Sequence, residues 1–210
     1  MPENGFLPSR GGYRKLRVYK MAEIIYDLTY EFTNRYLLRG DRTIDQMVQA
    51  ARSGKQNIAE GSKASSTSTE TEIKLTNVAK ASLEELLIDY EDYLRVRHLA
   101  QWGVGHPRYE RLREYCRSEP FMTDYRTLLP RMNAEELCNM ALTLINQATY
   151  MLARLIKRQE QMFIENGGIR EQMTRARLAY RAGQCGTNRS DPSDLSDKSD
   201  GSDKSDSHPR

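Results

Sequence analysis

From Asn133 to Asn166 apolar residues return every three or four positions: Leu137, Met140, Ala141, Leu144, Ile145, Ala148, Leu152, Leu155 and Ile156. This is the 3.6-residue period of one helical face, and it does not fit a strand, whose faces alternate every second residue. Asn133-Ala134-Glu135-Glu136 opens the run with a capping signal, in which Asn and Glu side chains serve orphan N–H groups, and Gly167-Gly168 closes it. At 1.5 Å per residue such a helix is about 50 Å long. A single helix of that length with one apolar face needs partners of similar length, which restricts the chain to a bundle.

Three further segments supply those partners. Tyr13 to Leu38 carries Val18, Met21, Ala22, Ile25, Leu28, Phe32 and Tyr36 on one stripe and ends at Gly40. Asp41 to Ser62 carries Ile44, Met47, Val48, Ala51, Ile58 and Ala59, with Gly61 and the serine-rich stretch after it as a stop. The third segment opens with Thr69-Glu70-Thr71-Glu72 as a capping box and continues to Leu99 with Leu75, Ala79, Leu83, Leu86, Tyr90 and Leu94. Short loops make consecutive helices antiparallel neighbours. The expected fold is therefore all-α, an up-down-up-down antiparallel four-helix bundle over residues 13–166.

Residues 101–132 connect the third and fourth helices. Within them Pro107 suits the first position of a short extra helix, RYERLREYCRSE, which Pro120 stops and Pro130 separates from the fourth helix. Residues 167–182 read as a short basic amphipathic helix. Residues 183–210, dominated by a Ser-Asp repeat, hold almost nothing apolar and are expected to be a disordered tail, and residues 1–12 a flexible lead.

Gly54-Lys55 invites a phosphate-loop reading, but Gln49 stands where the first glycine belongs and Gln56 where the magnesium-binding hydroxyl belongs. Gly54 fits better inside a helix, where it costs about 1 kcal/mol relative to alanine and lets another helix approach. Cys116, Cys138 and Cys185 form no C-x-x-C pair and suit a reducing compartment. Glu85, Asp89 and Asp92 share a helical face as in di-iron bundles, yet none of His98, His106 and His208 has a Glu three residues before it. No nucleophile and base stand in recognisable context. The expectation is a cytoplasmic non-enzyme without metal or cofactor, and no stretch approaches the roughly 18 apolar residues of a membrane span.

The net charge is only +3, and the tail removes two from a body near +5, so position matters more than the sum. Antiparallel order gathers the start of the first helix, the second loop and the end of the fourth helix at one pole. That pole receives Arg14, Lys15, Arg17, Lys20, Lys55, Lys63, Lys74, Arg154, Lys157 and Arg158, while Asp41, Asp45, Asp89, Glu91, Asp92, Glu135 and Glu136 fall at the other. Arg170, Arg177 and Arg181 give the last helix a basic stripe that suits binding nucleic acid, docking in a partner's helix groove or capping the bundle, and with the cations of the pole they are the candidate nucleic-acid contacts.

The stretches QMVQAARSGKQNIAEGS and TEIKLTNVAKASLEELLIDYEDYLR, followed by Trp102, resemble the four-helix bundle family of ribosomal-RNA intervening-sequence proteins, in its suffix-domain branch. The resemblance covers about residues 13–166, and Asn57, Glu60 and Gly61 carry its most specific motif. A related branch comprises the accessory variability determinant proteins of diversity-generating retroelements, which are pentameric and basic and work with a reverse transcriptase and its nucleic acid. What the resemblance implies is a homo-oligomer, a pentamer by that likeness, with RNA or DNA and a reverse transcriptase as partners. By themselves Asn57 and Glu60 read first as helix-end residues that hydrogen-bond to neighbouring helix ends. An oligomeric interaction module without a nucleic-acid ligand is the other reading of the same chain, since no base-reading motif is present.

Overall fold

A 3-10 turn, Tyr13–Lys15, leads into α1 (Arg17–Tyr36), α2 (Arg42–Ala64), α3 (Thr69–Val96), α4 (Tyr109–Tyr115), α5 (Glu119–Leu128), α6 (Ala134–Asn166) and α7 (Ile169–Thr187). The computed structural model describes residues 12–187, and among them there is no strand. Contacts divide the chain between Ile169 and Arg170 into two compact units, the bundle and the segment that holds α7. The lead, apart from Gly12, and the tail beyond Thr187 lie outside the described residues.

In the first unit α2 packs on α1 and α3, and α6 on α1 and α3, closing a ring of four helices. Ala22, Ile25, Leu28, Phe32, Ala51, Leu83, Leu86, Tyr90, Leu144 and Leu152, among others, meet inside it without solvent contact. Tyr90 is buried whole because its hydroxyl donates to Thr29 Oγ1 at 3.0 Å, and Thr29 in turn donates to Ile25 O at 2.7 Å. Burial pushes the Tyr90 phenol well up. Ser53 bonds to Ser82 (2.9 Å), whereas further along α2 Gly61 faces Thr76, at an earlier position in α3. Gln159 of α6 reaches Thr76, whereas Asn139, near the other end of α6, reaches Ala100 just after α3.

Several boundaries differ from the expected ones for local reasons. The first helix is not continuous from Tyr13, because Leu16 is extended (φ −72°, ψ 122°) and packs its side chain on the core, and it ends at Tyr36. Ser68, not Thr69, caps α3, its hydroxyl accepting from Thr71 N at 3.1 Å; Glu72 instead accepts from Gln159 at 2.9 Å. Gly61 does not stop α2. It is buried inside the helix, and a β-carbon there would sit 3.4 Å from Glu72 O and from Leu75 Cβ. At Gly54 the approach is closer still, 2.7 and 2.8 Å from Leu83 Cδ2 and Cγ. The capping box at Asn133 and Glu136 is present, and α6 runs to Asn166.

The connector holds two helices where one was expected. Pro107 precedes the N-cap of α4 at Arg108, and Pro120 opens α5 instead of stopping a helix. Ser118 caps α5, so Pro120 falls in a first turn that has no use for its missing N–H. Phe121, Tyr125 and Leu129 then bury against the bundle. α5 is held on α1 by Asp27, which accepts from Tyr125 OH at 2.6 Å and pairs with Arg126 at 2.9 Å. The last helix continues to Thr187, past the boundary expected at 182.

Candidate nucleic-acid interface

Gly12 and Leu16, Ser62 and Ser65, Glu72 and Thr76, and Leu155 and Gln159 line one cavity of about 280 Å³. The start of the first helix, the turn between α2 and α3 and the late part of α6 therefore share one end of the bundle. Arg14, Lys15, Lys63, Lys74, Lys157 and Arg158 flank that cavity in sequence and are all exposed. The Tyr13 ring ties two of them together, with Arg14 Cζ at 5.8 Å and Lys63 Nζ at 5.4 Å from its centroid. Tyr19 packs edge-on to Tyr13, and burial followed by the charge of Glu23 raises its pKa.

Lys55, Arg17, Lys20 and Arg154 of the bundle have other surroundings. Lys55 is half-buried in the middle of α2 with its ammonium 4.0 Å from the Tyr26 ring, on the seam with α1 and away from the end. Arg17 turns to the connector, where it donates to the Arg117 carbonyl and pairs with Glu119 at 3.4 Å. Lys20 is exposed one turn further along α1. Arg154 extends towards Tyr150, its Cζ 6.0 Å from the ring centre. Arg170, Arg177 and Arg181 are exposed on α7. Glu60 and Glu70 are exposed near the cationic end and dilute its charge.

The motif residues Asn57, Glu60 and Gly61 divide by role. Asn57 is in the interior of α2 and donates back to Ser53 O at 2.9 Å and Ser53 Oγ at 3.2 Å, so it serves its own helix rather than a helix end. Gly61 supplies close approach to α3. Glu60 is exposed to solvent.

At the far end the acidic residues receive the start of the connector. Glu135 accepts from the Trp102 indole at 2.9 Å, Asn139 accepts from Trp102 N at 2.7 Å, and Glu136 pairs with Arg108 at 3.3 Å. Asp89 is held above the usual carboxylate range, first by partial burial and then by Glu85 and Asp92. Among the described residues no three His, Cys, Asp or Glu side chains are placed to hold a metal ion.

One large feature was not legible in the sequence. Between the connector, α6 and the first turns of α1 lies an open cleft of about 1040 Å³. Arg113 and Arg117 of the connector, Trp102 and Tyr109 before and within α4, and Asn146 and Tyr150 of α6 line it. Gln147 braces its floor by donating to Arg113 O at 3.1 Å. The two walls are some forty residues apart in sequence, so no motif spacing links them. The aromatic, Arg and amide side chains of residues 101–117 were the available signal.

The chain matches no protein-family model, no curated protein and no solved structure. Among the described residues no helix is long and apolar enough to cross a membrane.

Proposed function

We propose that this chain is a non-enzymatic accessory scaffold that presents the cationic end of an up-down-up-down four-helix bundle to RNA or DNA, as a homo-oligomer serving a partner enzyme such as a reverse transcriptase. The observation that carries the reading is that Arg14, Lys15, Lys63, Lys74, Lys157 and Arg158 are exposed and stand next in sequence to residues lining one cavity, while Glu135 and Glu136 are taken up by the connector at the other end. The alternating topology is supported by contacts that run in opposite order along neighbouring helices, such as Tyr26 with Lys55 and Tyr13 with Lys63. The likeness to the ribosomal-RNA intervening-sequence proteins points the same way.

A cluster of this kind binds phosphates by releasing their counterions, so affinity falls with salt at about 0.9 log units per log unit for each duplex phosphate engaged. Replacing Arg14, Lys63, Lys157 and Arg158 by Gln is expected to leave far-UV circular dichroism unchanged and to flatten that slope by about one unit for each phosphate no longer engaged. Equal changes at Arg39 and Arg42, exposed at the other end, leave it alone. Loss of binding in both sets, or in neither, places the affinity elsewhere. The competing reading is an interaction module without a nucleic-acid ligand, favoured by exposed Val78, Ile88 and Tyr30 on the bundle exterior. Absence of any binding at low salt selects it.

A further inference from the structure

The cleft between the connector and α6 differs in chemistry from the cationic end. Its lining combines flat aromatic faces at Trp102, Tyr109 and Tyr150, guanidinium groups at Arg113 and Arg117, and a carboxamide at Asn146. Unpaired nucleotides are recognised by this combination: bases stack on aromatic rings, phosphates sit on arginines, and amides reach the exposed base edges. A base inside a duplex offers neither its face nor its pairing edge, so the same lining has little to hold there. The volume, about 1040 Å³, is at the upper end of ligand-binding clefts.

Some of the polar groups in the lining are already engaged and others are not. The Arg117 guanidinium, the Asn146 amide and the hydroxyls of Tyr109 and Tyr150 have no hydrogen-bond or ion-pair partner among the described residues. Arg113, by contrast, is within 3.5 Å of Glu110, and Trp102 is anchored by Glu135, stacked on His106 at 5.1 Å between centroids and covered by the Arg108 guanidinium at 5.1 Å, so it is a rigid wall rather than a free stacking face. The cleft thus has a fixed aromatic wall and uncommitted polar groups facing it. It also adjoins the cationic end, because Tyr150 stands one helical turn before Arg154, itself one turn before Lys157 and Arg158.

We propose that this cleft holds unpaired nucleotides of a single strand, with a base on the exposed ring of Tyr150 opposite the rigid Trp102 wall and phosphates on Arg117, while the rest of the strand runs over Arg154 to the cationic end. The proposal rests on the nucleic-acid reading above and adds to it a preference for single strands and a separate site.

Trp102 is the only tryptophan in the chain, so its fluorescence reports the cleft directly. Labelled 12-mer oligouridylate and oligothymidylate, a duplex of the same length, AMP and heparin are titrated against the full chain and against Tyr150→Ala and Arg117→Gln. Both residues are exposed, so neither change removes core packing, and circular dichroism verifies the fold. The expected result is at least tenfold tighter binding of the single strands than of the duplex, with Trp102 quenched by the strands and not by heparin. Tyr150→Ala is expected to weaken strand binding five- to a hundredfold, about the cost of removing one stacked base, and to leave duplex binding unchanged. Equal affinity for strand and duplex with no effect of Tyr150→Ala overturns the cleft site and leaves the cationic end standing. Quenching by AMP alone, with no response to the strands, overturns it in favour of a free-nucleotide site, and absence of all binding overturns both readings.

Discussion

A methyl group at Gly54 would stand 2.7 Å from Cδ2 and 2.8 Å from Cγ of Leu83, whereas at Gly61 the nearest atoms are 3.4 Å away. Leu83 is fully buried, and because Cγ itself is too close, turning the side chain does not relieve the clash. Gly54→Ala gains about 1 kcal/mol of helix propensity but incurs an overpacking cost of about 1–3 kcal/mol, so a net loss of about 1 kcal/mol is expected in urea melts. Gly61→Ala should be neutral or slightly stabilising in the same measurement. The sequence shows that Gly54 belongs in a helix, because the apolar period passes through it. It misleads at Gly61, where a local stop signal is overridden by packing against Leu75. Cys116 illustrates a second residue-scale effect: burial pushes its thiol up to about 12 from 9.0. The folded protein therefore holds this proton more tightly than the unfolded chain. Its stabilising contribution is complete below pH 9 and is lost as pH rises from there towards 12. Iodoacetamide at pH 8 followed by peptide mapping is expected to leave Cys116 and Cys138 unmodified until denaturant is added.

At the scale of elements, α6 is legible in full because the period, the capping box and the closing Gly167 agree. α5 is not, because Pro120 reads as a terminator whereas Ser118 makes it part of a first turn. The attachment of α5 depends on Asp27, whose carboxylate accepts from Tyr125 OH and pairs with Arg126. Arg126 is largely exposed, so the ion pair alone contributes little, and the Tyr125 bond beside buried Phe121 matters more. Asp27→Asn is expected to raise amide hydrogen exchange across residues 119–128 by about fivefold, corresponding to roughly 1 kcal/mol for one weakened charge-assisted bond. Exchange in α2 and α3 should not change; a uniform rise across the bundle would mean that α5 is not a separable element. The cleft is hidden in the sequence for a related reason, since its walls come from Trp102 to Arg117 and from α6, and only the docking of the connector brings them face to face.

For the molecule as a whole, apolar residues remain uncovered on the outside of the bundle: Tyr30 at 56%, Ile88 at 57% and Val78 at 40% exposure. Association of copies, which is part of the function proposed above, would cover some of them. Light scattering is expected to give a mass that is a multiple of 24.3 kDa at micromolar concentration, with Ile88→Lys shifting it towards the monomer. A monomer mass for the unaltered chain would remove the assembly part of the proposed function. The long passage from α3 to α6 also sets an order of events during folding. α1, α2 and α3 are joined by tight turns and meet through pairings close in sequence, whereas Arg17 finds Glu119, Asp27 finds Tyr125 and Tyr36 finds Met132 only after a loop of about a hundred residues has closed. Loop-closure entropy delays such pairings. Pairings of α1 with α2, of α2 with α3 and of the connector with α6 span only about thirty to forty residues, so the wall that α1 adds to the cleft is expected to be the last to close.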